Sequence, residues 1–397
     1  MDLFEKLYPD TRLHPSFLQL RDQPQNWSTR SLLNEAAARF PDKDGNFVEQ
    51  YQTQGFDART FELYVSELLH SEGFKFDTKH PHPDFVCSKD DTTIAVECTT
   101  TNPTDRGDGA ITPYAPLNPA DRELEDILDR FQGDLPIRIA GAIRSKMTKR
   151  MGPDSKAYWE LPHVAQRPFV IALQSFHEPG ALAFSSTAVA NYLYGSEHRP
   201  DWDSEGNLVI KEREIPAHTR GEKTIPSGFF HQAGSENLSA VLWTNAGTAS
   251  KFSRIARAGP YPDSNATVLR YGQMYDFDPN AHVPLPFMYI VGDPDTPKED
   301  WGQSAILFHN PNAKSPVPFG LFQSVSEGRI ENEQFVAHLK SKFDPVHSMS
   351  KLFFNEGHRA AAIHEGNRIW PVLVAAYHQQ NKKDNHPVWG SNDEGRD

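Results

Sequence analysis

The stretch from Pro83 to Thr99 constrains this chain most. It reads Pro-Asp-Phe-Val-Cys, a polar run Ser88-Lys89-Asp90-Asp91-Thr92, then Ile-Ala-Val-Glu-Cys-Thr. Two short strands joined by a turn follow from that pattern. Side chains alternate along a strand, so Ile94, Val96 and Cys98 share one face and Ala95, Glu97 and Thr99 the other. In the first strand Phe85 and Cys87 oppose Asp84, Val86 and Ser88. The hairpin thus has one apolar face and one face carrying two carboxylates, Asp84 and Glu97. A carboxylate within an apolar strand is costly unless it is paired, hydrogen-bonded or bound to a metal.

The flanking sequence supplies partners. Ala58 to Glu72 has helical periodicity, with Phe61, Val65, Leu68 and Leu69 on one stripe and Gly73 as a stop. Glu62 borders that stripe and is expected to look inward more than Glu67 does. A strand is expected over Phe74 to Thr78. Beyond Thr99 come a long polar loop to about Pro119, a helix over Asp121 to Phe131, a helix over Ile139 to Arg150 and a buried strand over Pro168 to Leu173. A helix from Thr187 to Tyr194 ends at Gly195. Hairpins, a crossover helix and a further strand imply an α/β fold: a mixed central sheet flanked by helices.

The rest is expected as elaboration on either side. Residues 1–50 form an N-terminal helical extension with a helix starting near Ser31, 51–200 the core, 201–380 a C-terminal α/β part, and 381–397 a polar tail. In the C-terminal part the expected elements are a hairpin over 207–215, a strand from Leu238 with a helix over Thr248 to Ala258, and strands near 266–275, 286–292 and 304–309. A helix is expected over Glu331 to Phe343.

Composition bounds the function classes. Of 397 residues, 38% are hydrophobic and 23% charged, a globular profile. The net charge of −13 argues against a general basic coat for nucleic acid and leaves room for a local one. Two cysteines, Cys87 and Cys98, do not make a disulfide framework. No apolar window approaches a membrane span and no leader pattern opens the chain, so a soluble cytoplasmic protein is expected.

Three acids converge in this reading: Glu62, Asp84 and Glu97. Oxygen donors of this kind suit Mg²⁺ or Mn²⁺ rather than zinc. Pro83-Asp84, twelve intervening residues, then Glu97-Cys98-Thr99, after a helical Glu62, resembles the PD-(D/E)xK nuclease superfamily, whose fold is restriction-endonuclease-like. The similarity covers Ala58 to Leu173. It implies a Mg²⁺-dependent nuclease hydrolysing phosphodiester bonds of DNA, in a setting such as bacterial defence or repair. Asp84, Glu97 and the Cys98 carbonyl would bind the ion, with Glu62 in support. The family's motif lysine is Thr99 here, and a hydroxyl brings no charge. Lys146, or else Lys149, from the following helix is the expected substitute. The alternative is a catalytically silent nuclease-like module that binds nucleic acid or a protein partner. A homo-oligomer is compatible with either.

Other motifs carry less. His80 and His82 lie in a proline-rich loop without a matching pair of zinc ligands. His358 and His364 do not have zincin spacing. Neither a phosphate-binding glycine loop nor a Gly-x-Ser-x-Gly elbow occurs. Lys251, Arg254 and Arg257 recur at three-residue spacing, as a solvated helix face or, less simply, a phosphate track. Arg144, Lys146, Lys149 and Arg150 form a second cationic group, beside the carboxylates.

Overall fold

The computed structural model describes residues 1–5, 7–102, 130–177, 180–205, 207–278 and 280–381. The helix expected over 121–131 lies outside them but for its last two positions, as do most of the loop before it and the polar tail. Within them, four helices open the chain: α1 (Pro15–Asp22), α2 (Trp27–Arg39), α3 (Phe47–Gln52) and α4 (Phe56–Ser71). The strands β1 (Lys75–Asp77), β2 (Phe85–Lys89) and β3 (Thr92–Thr101) follow. Then come α5 (Leu135–Thr148), β4 (Phe169–Ser175) and α6 (Thr187–Tyr194).

These elements build the fold expected from the pattern, an α/β architecture around a mixed sheet. Among the described residues the sheet has eight strands, and its first four in order are β1, β2, β3 and β4. Strand β2 is antiparallel to β1 and β3, whereas β3 and β4 are parallel. A parallel neighbour requires a crossover, and α5 lies within it. The sheet continues through β9 (Ala240–Thr244), β12 (Ala305–His309), β13 (Ser326–Glu331) and β14 (Gln334–His338). It therefore draws on the chain both before and after residue 200.

Two cores lie on its two faces. Phe85, Cys87, Ile94, Val96 and Cys98 pack with Phe61, Tyr64, Val65 and Leu68 of α4. Ala95 faces the other way, with Ile139 and Ile143 of α5, Tyr158, Ile171 and Trp243. Each fully buried large apolar side chain contributes roughly 1.5–3 kcal/mol over leaving it exposed. That sum fixes the strand register, because a slip of one residue would turn every core residue to the wrong face. The turn of the β2–β3 hairpin is tighter than expected. Lys89 pairs with Thr92, leaving only Asp90 and Asp91 between, and Asp90 takes φ 51°, a conformation Asp tolerates.

Elsewhere the structure corrects three expectations. The residues expected as a helix over 331–343 form the β13–β14 hairpin, with Glu331 opposite Gln334. Asn332 and Glu333 have φ 49° and 66°, the two left-handed residues of a turn whose twist matches its strands. The hairpin expected within 207–215 is one strand, β6 (Leu208–Glu214), paired with β5 (Ser196–Trp202). A second hairpin follows, β7 (Ala217–Arg220) with β8 (Lys223–Pro226).

The third correction concerns α7 (Ala249–Ala258). Its row Lys251, Arg254 and Arg257 is neither solvated nor a phosphate track, being 0%, 4% and 7% exposed. Arg254 holds Glu299 through Nε and Nη2 at 2.6 and 2.8 Å, and Lys251 and Arg270 also reach Glu299. Arg257 pairs with Asp263 at 3.0 Å. These cations tie the sheet's far side to a three-stranded sheet. That sheet is β11 (Leu285–Ile290), β10 (Thr267–Met274) and β15 (Pro345–Phe353), with α8 (His358–Gln380) packed on it. No helix among the described residues is long and apolar enough to cross a membrane.

Candidate metal and phosphodiester site

The carboxylates meet where β2 begins beside β3. Asp84 immediately precedes β2 and sits across from Glu97, since Phe85 pairs with Val96. Its Oδ2 accepts the Cys98 N–H at 2.7 Å, and its own N–H lies 3.3 Å from Glu97 Oε2. Glu97 is 2% exposed. Its Oε1 accepts from Lys146 Nζ at 2.6 Å and from the Tyr158 hydroxyl at 2.5 Å. A buried charge needs such partners, so the oddity noted in the sequence is resolved by a cation and a phenol.

Lys146 arrives from the last turn of α5. That helix buries Ile139 and Ile143 against the face of β3 that carries Ala95 and Glu97. With its apolar row fixed on the sheet, Lys146 at i+3 from Ile143 is carried over Glu97. Thr99, in the motif lysine's position, lies further along the same face and lines a groove instead. Lys149, the second choice, packs over the Tyr158 ring at 5.5 Å. Burial works against the charged Lys146 amine, but attraction and hydrogen bonding from Glu97, with Asp84 behind, outweigh it and raise the pKa.

The acids crowd one another. Burial pushes the Asp84 carboxyl well above its usual range, and the charges of Glu97 and Glu62 add to it, with only partial relief from Lys146. Glu62 is raised too, chiefly by burial, while Arg59 pulls it back. The expected ordering of the two helix acids holds only in part. Glu67 is the more buried and pairs with Arg39 at 2.6 Å, away from the site. Glu62 is the one that feels Glu97 and Lys146, but it is held by Arg59 in an ion pair.

Two participants were not expected from sequence. Lys43, in the loop between α2 and α3, donates to the carbonyls of Pro83 and Asp84 at 3.1 and 2.8 Å. Burial lowers its pKa while Asp84 and Glu97 pull the other way. Tyr158 comes from a short turn just before β4. Its phenol is raised by burial and then by Glu97, so it stays protonated and donates. Nothing in the local pattern around either residue distinguishes it, since both reach the site only through the fold. The histidine loop is structural here: His80 stacks on His163 at 3.8 Å, and His163 Nε2 meets the His82 carbonyl at 2.5 Å.

Among the described residues, no group of three or more His, Cys, Asp or Glu side chains is arranged to hold an ion. A resident ion would rest on the Asp84 and Glu97 carboxylates with a main-chain oxygen, and Glu62 would act from behind Arg59. The donors are all hard oxygens, which fit Mg²⁺ or Mn²⁺. Asp84, raised first by burial and then by the charges of Glu97 and Glu62, is a carboxyl whose ionised form a divalent cation would favour. Compared with protein-family models, curated proteins and solved structures, the chain matches none.

Proposed function

We propose that this chain is a metal-dependent phosphodiesterase acting on DNA, built on Asp84, Glu97 and Lys146. The observation that carries the reading is the Lys146 amine, 2.6 Å from Glu97 in a site where Thr99 offers no charge. Asp84, Glu97 and the Cys98 carbonyl would hold Mg²⁺ or Mn²⁺. Such an ion, when bound, polarises a phosphodiester and makes a bound water more acidic.

The chain's own residues do the rest. Lys146 stays protonated at neutral pH and offers positive charge where negative charge develops on the phosphoryl oxygens. Tyr158 fixes the rotamer of Glu97 by donating to Oε1, which leaves Oε2 with only the longer bond to the Asp84 N–H. Lys43 anchors the Pro83–Asp84 main chain, so the Asp84 carboxylate is aimed by backbone as well as by the Cys98 N–H. Preorganisation of this kind removes reorganisation from the reacting step.

One feature favours the second reading, a silent nuclease-like module: Glu97 Oε1 is already satisfied by two donors within the protein. A nicking assay separates the two. Supercoiled plasmid is incubated with the purified chain and Mg²⁺ or Mn²⁺, against EDTA and against Glu97→Gln, which keeps the shape of the side chain. Nicking that needs the ion and disappears in the variant supports the enzyme. Nicking in EDTA, or undiminished in Glu97→Gln, defeats the mechanism, and no nicking with any ion leaves the silent module.

A further inference from the structure

Among the described residues, the turn between α5 and β4 carries exposed cations that no carboxylate holds in an ion pair. We propose that Lys149, Arg150 and Arg167 of this turn, with Lys79 of the β1–β2 loop, form a rim that binds the sugar–phosphate backbone of DNA and leads it to Asp84 and Glu97. The biological meaning rests on the phosphodiesterase reading, but the binding itself does not.

Position comes first. Tyr158, in this turn, donates to Glu97 Oε1. His163, five residues on, fastens the β1–β2 loop: it stacks on His80 at 3.8 Å and meets the His82 carbonyl at 2.5 Å. That loop runs straight into Asp84. The turn thus touches the surroundings of both carboxylates. The cations are attached to the same residues. Lys149 Nζ lies 5.5 Å from the centre of the Tyr158 ring, and the Arg150 guanidinium 5.9 Å from that of Trp159. Arg167 donates to the His163 carbonyl at 3.0 Å, and Lys79 immediately precedes His80. A backbone lying along these four cations is therefore brought to the site. The rim is at the C-terminal end of α5, about 21 Å along the helix from its start, and so is clear of the ion pairs that Asp134 makes with Arg138 and Arg220.

Availability of the charge comes second. All four side chains belong to exposed residues. Their partners are aromatic faces and carbonyls, which orient a cation without cancelling its charge. Elsewhere in the fold the arginines are matched by acids: Arg39 by Glu67, Arg254 by Glu299 and Arg257 by Asp263. The acids close to the rim are engaged already. Asp154 pairs with Lys156 at 3.6 Å, Glu160 accepts the Ala157 N–H at 2.7 Å, and Asp77 accepts the Lys79 main-chain N–H at 3.0 Å. At the site itself, Glu97 and Glu62 have Lys146 and Arg59. The sequence gives the third observation. From Arg144 to Arg167 it has six basic residues against two acidic ones, on a chain whose net charge is −13. Clustered positive charge on one side of an acidic chain is the electrostatic footprint of a nucleic-acid site. Lysine and arginine contacts of this kind hold phosphates in register without reading sequence.

The test is fluorescence anisotropy in EDTA, where no metal-dependent cleavage occurs, with a short labelled DNA duplex in two unrelated sequences. The expected result is binding at low salt that is indifferent to sequence. With about four phosphate contacts, log affinity falls with log salt at a slope near −3.6, roughly 150-fold between 50 and 200 mM. Lys79→Gln, Lys149→Gln, Arg150→Gln and Arg167→Gln should each make the slope shallower by about 0.9, at a wild-type urea midpoint. Lys298→Gln removes an equally exposed charge beside Glu299 and should leave the slope alone. Absence of duplex binding at low salt overturns the proposal. So does a slope unmoved by the four substitutions together, or moved as far by Lys298→Gln as by any one of them. Polyglutamate that competes as well as DNA, charge for charge, also overturns it, because the rim would then take any polyanion. The two readings fail separately. Rim binding without nicking removes only the enzyme, and nicking whose dependence on DNA concentration survives all four substitutions removes only the rim.

Discussion

Replacing Lys146 by Met tests the centre of the site, because it keeps the length of the side chain and deletes its charge. The Glu97 side chain is 3% exposed and that of Lys146 20%. Removing one partner of a buried pair costs about 3–5 kcal/mol, since the other charge stays buried. The residual exposure of Lys146 lets solvent screen part of this, and Tyr158 still donates to Glu97, so the expected loss is about 2–3 kcal/mol. Unfolding entropy of about 2.1 cal/mol/K per residue turns that into a shift of only about 3 °C for a chain of this length. Equilibrium urea unfolding followed by tryptophan fluorescence is the sharper assay. Adding Glu97→Gln to Lys146→Met should restore most of the stability, because the amide needs no countercharge, while nicking stays absent. The double-mutant cycle should give a coupling of at least about 1 kcal/mol. Mg²⁺ at ten times its dissociation constant should stabilise Lys146→Met by about 1.4 kcal/mol. A wild-type urea midpoint for Lys146→Met, with a cycle that closes at zero, would refute the claim that Lys146 neutralises Glu97.

Two further outcomes follow from groups outside the site. His14 caps α1 by accepting the Ser16 N–H on Nδ1 at 3.2 Å, and burial lowers its pKa from 6.5 to about 4. A depressed histidine favours the neutral form in the fold, so its contribution is whole above about pH 6.5 and is lost as pH falls toward 4. The loss approaches about 3 kcal/mol. His14→Asn, which also caps, should flatten that part of the urea-midpoint profile, and an unchanged slope would contradict it. Glu299→Gln strands Lys251, Arg254 and Arg270 without their shared carboxylate. A loss of about 3–5 kcal/mol is expected, partly recovered by adding Arg270→Met; a wild-type midpoint in Glu299→Gln denaturation would count against it.

What the sequence determined by itself was local and periodic. Alternation from Thr92 to Thr101 sets which face of β3 is apolar, and it singles out Glu97 as the residue that breaks the rule. The stripe of α4 and the helix Thr187–Tyr194 were equally legible. The latter stops at Gly195, whose φ is 81° and whose Cβ would lie 3.0 Å from Gly228 Cα. Tertiary structure decided the rest. Residues 331–343 carry good helix formers, yet Asn332 and Glu333 turn left-handed because Phe335 finds Tyr194 and Phe308 across the sheet. The row Lys251, Arg254 and Arg257 looked solvated because its anions, Glu299 and Asp263, lie in other segments. Lys43 reaches the Asp84 carbonyl from 41 residues before it, and Tyr158 reaches the Glu97 carboxylate from 61 residues after it. Periodicity reports which face of an element is buried. It does not say which distant charge will be brought to meet a carboxylate there, because that depends on how α5 and the loop after α2 pack against β2 and β3.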